Sequence, residues 1–320
     1  MKEFLKFIGG SLFSNPNVLE GKRRKFYQAL IIGLISLIIA IVPIFSFTMS
    51  IEGSQVITKQ DNSSLDTSLT MFSKYLSEND EASVTINAQG KIKVEGITEY
   101  VISSSEGRHL LSVRYATDEE DPNEIANHYT NGIVDGKPTD TPRSFIILQS
   151  NSIYICTFAL NAKNTLNEDG TIKNKANYTS TYTGEPKELK GTDFATYYTS
   201  EIGGAEACVE KWKSALDKMY TPIKTSTVLY SVSIYSLLNF IIMLTMSVII
   251  MILTRLKSAQ CEKMRFVESL KCVFFASLSP AIISLLIGFM ISSFASVAFV
   301  MCIGIRCVFL GSKASQSSKY

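Results

Sequence analysis

Between Lys271 and Arg306 the chain runs for 34 residues without a charged side chain. One helical crossing of a bilayer takes about 20 residues, so this stretch is too long for a single span. It divides at Ser292 and Ser293, which predicts two helices over residues 267–291 and 294–310 joined by a minimal turn. Such a hairpin enters and leaves a membrane from the same side. Every other feature of the chain has to be compatible with it.

The average composition, 46% hydrophobic and 19% charged, resembles that of a soluble protein. The average hides segregation. Residues 51–225 hold 17 Lys and Arg against 25 Asp and Glu, a net charge of −8, and the remainder holds 14 against 4, a net charge of +10. Two further uncharged runs, 26–51 and 225–254, bring the expected spans to four, near 26–49, 228–253, 267–291 and 294–310. Lys22, Arg23, Arg24 and Lys25 precede the first span. Arg255, Lys257, Lys263, Arg265 and Lys271 lie between the second and third, and Lys313 and Lys319 follow the fourth. Short basic segments stay on the cytoplasmic side, so all three are expected inside and residues 51–225 outside. Basic residues placed in this way argue for a membrane surface and against a nucleic-acid partner. A cleaved leader fits poorly, because the first apolar run exceeds the usual ~7–15 residues and no small-x-small site ends it.

The expected fold class is an α+β membrane protein. It comprises a cytoplasmic segment 1–25, helix 26–50, an extracytoplasmic α+β domain 51–225 inserted between helices 1 and 2, helix 226–254, a basic loop 255–266, a helical hairpin 267–310 and a tail 311–320. Phe4, Leu5, Ile8 and Leu12 recur at helical spacing. That stretch reads either as a short interfacial helix or as a frayed terminus, since Gly9 and Gly10 weaken the helix. In the external region Ser64 is placed to cap a helix over 65–76. Alternating patterns predict strands at 84–86, 92–94, 100–102, 110–115, 145–148 and 152–158. The polar stretches 116–142 and 161–188 read as loops. Residues 205–220 place Cys208, Trp212, Leu216 and Met219 on one face of a helix that leads through Pro222 into the second span.

Candidate chemistry is sparse. His109 and His128 are the two histidines, and no strained Gly-x-Ser-x-Gly turn accompanies them. Asp118, Glu119, Glu120, Asp121 and Glu124 form an acidic stretch without the spacing of a calcium loop. Cys156 and Cys208 are the external pair available for a disulfide, or two simply buried thiols. Cys261, Cys272, Cys302 and Cys307 read as packing residues. Asn62 and Asn177 open glycosylation-type triplets, relevant only where the transferase exists. Within the spans, Pro43 predicts a kink, Asn239 a hydrogen bond to a neighbouring helix or a ligand contact, and Ser277, Ser279 and Pro280 a kink or a gating site. Arg306 lies near enough to an end to snorkel. Gly288, Ala295, Ser296 and Ala298 favour close helix packing.

Several segments together resemble a family. They are Phe4-Leu-Lys-Phe7 with Ser11-Leu-Phe-Ser-Asn-Pro16, Gly90-Lys-Ile-Lys-Val94, Leu111 through Asp118, Phe145 through Tyr154, and Arg265 through Lys271 with Ala276-Ser-Leu-Ser-Pro280. The layout resembles that of Gram-positive bacterial four-span membrane proteins described as maltodextrin-utilisation (MalA-like) proteins. The resemblance implies four spans, one external domain and proximity to sugar import, with no reaction and no active-site residues to carry over. The stretches near 119–142 and 161–190 are longer than the pattern requires.

The functional expectation is a non-enzymatic accessory or scaffold subunit docking on another membrane complex, plausibly a transporter. A sensor of a small molecule or wall component is the alternative, and a transporter in its own right a further one. No cofactor is expected. The lipid bilayer is the expected surroundings, and a homo-oligomer is compatible with the pattern.

Overall fold

The computed structural model describes residues 2–58, 64–105, 109–256 and 263–314. Lys257, Cys261, Lys319 and the Asn62 triplet lie outside the described residues. The chain forms two compact units, one of residues 1–50 with 226–320 and one of residues 51–225.

The helical unit begins with α1 (Lys2–Phe13) and α2 (Asn15–Glu20). A 3-10 turn over Gly21–Arg23 leads into α3 (Phe26–Ser50). The N-terminal stretch is therefore helical and packed rather than frayed: Phe7 and Ser11 are buried, and Phe7 meets Phe275 edge-on at 5.0 Å. Helix α3 continues through Pro43.

The second unit opens with α4 (Gln55–Thr58) and α5 (Leu65–Glu78). Ser64 precedes α5 in a left-handed conformation with no capping bond from its side chain, so the predicted helix is present and the predicted cap is not. There follow β1 (Ser83–Ile86), β2 (Ile92–Glu95), β3 (Glu99–Ser103), β4 (His109–Tyr115) and α6 (Pro122–Thr130). The next strands are β5 (Ile133–Val134), β6 (Lys137–Pro138), β7 (Phe145–Gln149), β8 (Ser152–Thr157), β9 (Thr165–Leu166), β10 (Ile172–Asn174) and β11 (Ser180–Gly184).

Five strands make one sheet in the order β11-β8-β7-β4-β3, and β1-β2, β5-β6 and β9-β10 are separate hairpins. The β4–β7 pairing is parallel, whereas the other pairings in the sheet are antiparallel. A parallel pair needs a crossover, and α6 lies in it. Strand β7 is buried at all five positions because both faces of the sheet are covered. Ile146, Leu148, Ile153 and Ile155 face a core built with Leu69 and Phe72 of α5 and with Trp212, Leu216 and Met219. The alternate residues Phe145, Ile147, Cys156 and Phe158 face Ile125 and Tyr129 of α6. Both α6 and β11 fall in stretches whose polarity predicts loops. In α6 only Ile125, Tyr129 and Thr130 are buried, so its apolar stripe is too thin to stand out. Its signal is the Asp121–Pro122 start, where the Asp121 carboxylate accepts from Asn123 N–H at 2.8 Å.

Helix α7 runs unbroken from Gly204 to Leu256 through Pro222, where two helices were expected. Its first turns are fixed on the large core. Trp212 stacks on Phe194 at 4.7 Å and donates its indole N–H to Ser73 Oγ at 2.9 Å. Tyr182 donates to the Leu216 carbonyl at 2.7 Å. This fully buried aromatic layer is worth several kcal/mol, at about 1.5–3 kcal/mol per large side chain.

Helices α8 (Phe266–Ala276) and α9 (Leu278–Met290) share one predicted span, interrupted at Ser277. A 3-10 turn, Ser292–Phe294, then reverses the chain at the predicted place, into α10 (Ala295–Ala314). Among the described residues four helical stretches are long and apolar enough to cross a membrane: Phe26–Ser50, Gly204–Arg255, Phe266–Met290 and Ala295–Ala314. Leu34, Ile38, Leu237, Leu286, Met301 and Phe309 are exposed on them. An apolar surface of this extent fits a multi-pass membrane protein.

Small residues set the close contacts in this unit. A Cβ on Gly288 would lie 2.6 Å from Pro43 Cβ and 2.8 Å from Ala295 Cβ, so α3, α9 and α10 meet at a glycine. A Cβ on Gly311 would lie 2.7 Å from Leu253 Cδ1 of α7. Gly288→Val therefore overpacks the α3–α9 contact and is expected to destabilise the helical unit by about 1–3 kcal/mol. The measurement is the unfolding midpoint of the detergent-solubilised chain, and an unchanged midpoint would contradict this packing.

Candidate functional sites

Among the described residues, each unit has a place that gathers polar side chains against apolar walls. The first is built on a missing hydrogen-bond donor. Pro280 has no backbone N–H, so the carbonyl four residues earlier, that of Ala276, has no helical partner. Arg306 of α10 supplies one: its Nη1 donates to Ala276 O at 2.8 Å. The same guanidinium donates to Ser279 Oγ and to the Ser11 carbonyl of α1, and Nε reaches Asn15 Oδ1 at 3.5 Å. Four chain segments thus meet at one cation. Ser277 sits in the interruption itself, and its hydroxyl donates to Phe274 O at 2.9 Å. Arg306 is thus bonded within the helical unit, towards the N-terminal helices. Beside it lies a cavity of about 290 Å³ whose walls include Asn15, Pro280, Ile283 and Phe309.

The other expected intramembrane groups lie apart from this cluster. Pro43 is buried against Gly288. Asn239 is buried in α7, but its Nδ2 has no hydrogen-bond partner, so the expected bond to a neighbouring helix is not made by that atom.

The basic residues are partly structural. Lys271 donates to the carbonyls of Lys22 and Arg24, the latter at 2.9 Å, and so holds the turn that leads into α3. Arg24 lies 4.7 Å over the Phe7 ring. The Arg265 N–H donates to Glu268 Oε2 at 2.7 Å and closes a capping box on α8. Arg23, Lys25, Arg255 and Lys263 are exposed.

The second site is in the α+β unit, at the sheet end where β4 and β7 begin and β8 finishes. Its cavity measures about 470 Å³ and is lined among others by His109, Val134, Asp140, Arg143, Phe158 and Leu160. His109 Nε2 lies 2.9 Å from Ser112 Oγ. Burial, then the charge of Arg143, pushes the imidazole down to about 4, and Glu99 opposes this weakly. The ring is neutral at physiological pH. Nearby, Tyr129 donates to Glu99 Oε1 at 2.7 Å, and burial with that bond raises its phenol.

The remaining sequence candidates disperse. Cys156 and Cys208 are both free and buried, and the disulfide is not formed. The physical reason is the period of the strand: Cys156 packs on the α6 face of the sheet, and Cys208 packs with the large core on the opposite face. Burial pushes the Cys156 thiol up to about 12. In the acidic stretch, Glu120 accepts from Arg114 at 2.7 Å and from Thr117 N–H at 2.8 Å, and Asp121 caps α6. Among the described residues no group of three or more His, Cys, Asp or Glu converges on a common point. The cavity at His109 was legible only in part. The histidine stood out, but Arg143 and Leu160 lie in or beside stretches that gave no periodic signal.

Comparison of the chain with family models, with curated proteins and with solved structures returned no match.

The depressed imidazole carries a consequence for stability. The unfolded chain takes up a proton near the ordinary value of 6.5, whereas the folded site resists protonation until about 4. The contribution of His109 to stability is thus complete above about pH 6.5 and declines as the pH falls towards 4. His109→Gln removes this part of the acid sensitivity. Unfolding midpoints of both proteins between about pH 7 and 4 should converge on acidification; parallel profiles would contradict the assignment.

Proposed function

We propose that the chain is a multi-pass membrane protein that anchors residues 51–225 on the extracytoplasmic side and acts as a non-enzymatic accessory subunit docking on another membrane complex, a transporter being the favoured class. The charge segregation supports the orientation: net −8 for residues 51–225 and net +10 for the rest, with basic residues flanking the spans. The observation that carries the anchoring role is the use made of Arg306. Arg306, in the apolar helix α10, is bound to carbonyls and a serine of its own unit. Ser284 donates in the same way to Ala295 O at 2.7 Å, and Ser36, Thr48 and Ser247 donate to carbonyls of their own helices. Polar groups consumed in this manner hold a bundle together and are not free to coordinate a moving solute, although Asn239 Nδ2 and the Ser269 and Ser296 hydroxyls have no hydrogen-bond partner among the described residues. This favours an anchor over a transporter in its own right. Strands β3 and β11 end the five-stranded sheet, and an edge strand can pair with a partner. The resemblance to MalA-like proteins points the same way, towards a sugar-import complex.

One experiment tests orientation and docking together. Intact cells are treated with a membrane-impermeant, lysine-reactive crosslinker. The tagged chain is then purified in mild detergent and analysed by mass spectrometry. The expected result is crosslinks from exposed lysines such as Lys173 and Lys175 to a second membrane protein present in stoichiometric amount. A chain that emerges alone, with those lysines unmodified, would overturn the reading.

A further inference from the structure

The cavity at the end of the five-stranded sheet contains a cation without a partner. Arg143 lines it, half-buried, and has no hydrogen bond or ion pair from its guanidinium among the described residues. A guanidinium left in this position is normally matched by an anion, because its five donors form a rigid fork suited to a carboxylate. Among the described lining residues the acid is Asp140, which is exposed and lies 3.6 Å from Lys163, a solvent-screened pair. The lining also has an apolar part. Leu110, Pro142 and Phe158 are buried, and Val134 and Leu160 are 41% and 43% exposed at the rim. Two exposed aliphatic side chains at the mouth of a cavity, with an unpartnered arginine inside, form an amphipathic receptacle. Its volume, about 470 Å³, is within the usual range for a small-molecule site, roughly 300–1,000 Å³.

We infer that this cavity binds a small amphipathic monocarboxylate, with the carboxylate on Arg143 and the apolar body against Phe158, Val134 and Leu160. A single unpaired cation beside Asp140 suits one negative charge better than two, which disfavours a phosphate. His109 supports the same choice. Its ring is neutral, engaged with Ser112 Oγ, and adds a polar contact without adding charge. The proposal stands independently of the docking role, and it gives the sensing alternative a concrete site.

The test uses the full chain in detergent with phenylacetate as the probe, phenylacetamide as its neutral counterpart, and inorganic phosphate. Binding is read by saturation-transfer NMR and by displacement of the unfolding midpoint. Phenylacetate should bind, and phenylacetamide should bind at least about tenfold more weakly, as the loss of one charge-assisted contact implies. Arg143→Gln should lose the carboxylate preference. Leu160→Glu, a change at an exposed rim position that leaves the core untouched, should weaken phenylacetate by a similar factor through like-charge repulsion. Equal binding of acid and amide, an unchanged Arg143→Gln variant, preferential binding of phosphate, or no binding of phenylacetate at millimolar concentration would each overturn the proposal.

Discussion

An unsatisfied carbonyl in apolar surroundings is the constraint from which the helical unit follows. Each such group costs several kcal/mol in a hydrocarbon environment, so a proline within a span demands a substitute donor. Pro280 creates the demand at Ala276, and Arg306 meets it from the neighbouring helix. The remaining donors of the arginine reach the Ser11 carbonyl and Asn15, so the N-terminal helices are drawn onto the hairpin. Lys271 repeats the device one turn away from the basic cluster, through the carbonyls of Lys22 and Arg24. Basic residues that flank the apolar stretches therefore also hold tertiary structure. The two roles are compatible, because a long basic side chain near a span end can bind the ends of its neighbours.

The α+β unit solves a different problem. Its central strands must bury both faces, and the chain supplies two unequal covers. The large core rests on α5 and the first turns of α7, with Trp212 at its centre, and the smaller one on α6. Where the small core ends, the sheet end stays open around Arg143 and His109, and a cavity persists there.

Legibility in the sequence followed the strength of periodicity. The four apolar stretches, the turn at Ser292 and the strands at β1–β4, β7 and β8 were readable because their patterns are long or regular. Helix α6 and strand β11 were hidden because α6 buries three side chains and β11 only that of Tyr182, beside Gly184, and each is otherwise polar. The helix at 205–220 and the span at 228–253 are one helix, because a proline removes one hydrogen bond and a 53-residue helix tolerates that loss. The possible pairing of Cys156 with Cys208 rested on compartment alone, and the opposite faces of β8 exclude it. Arg306 was visible as a lone charge, but its inward direction was not, because the carbonyl that attracts it becomes evident only once Pro280 and α10 are side by side.

A double-mutant cycle on the detergent-solubilised chain tests this central pairing most directly. Arg306→Met should lower the unfolding free energy by roughly 1–3 kcal/mol, since the Ala276 carbonyl loses its partner. Pro280→Ala restores a backbone N–H at the position that can serve Ala276 O. The account predicts that the loss caused by Arg306→Met is smaller in the Pro280→Ala background than in the native one, a coupling of about 1 kcal/mol. Strict additivity of the two changes would show that Arg306 does not serve the carbonyl freed by the proline, and the account of the helical unit would fail.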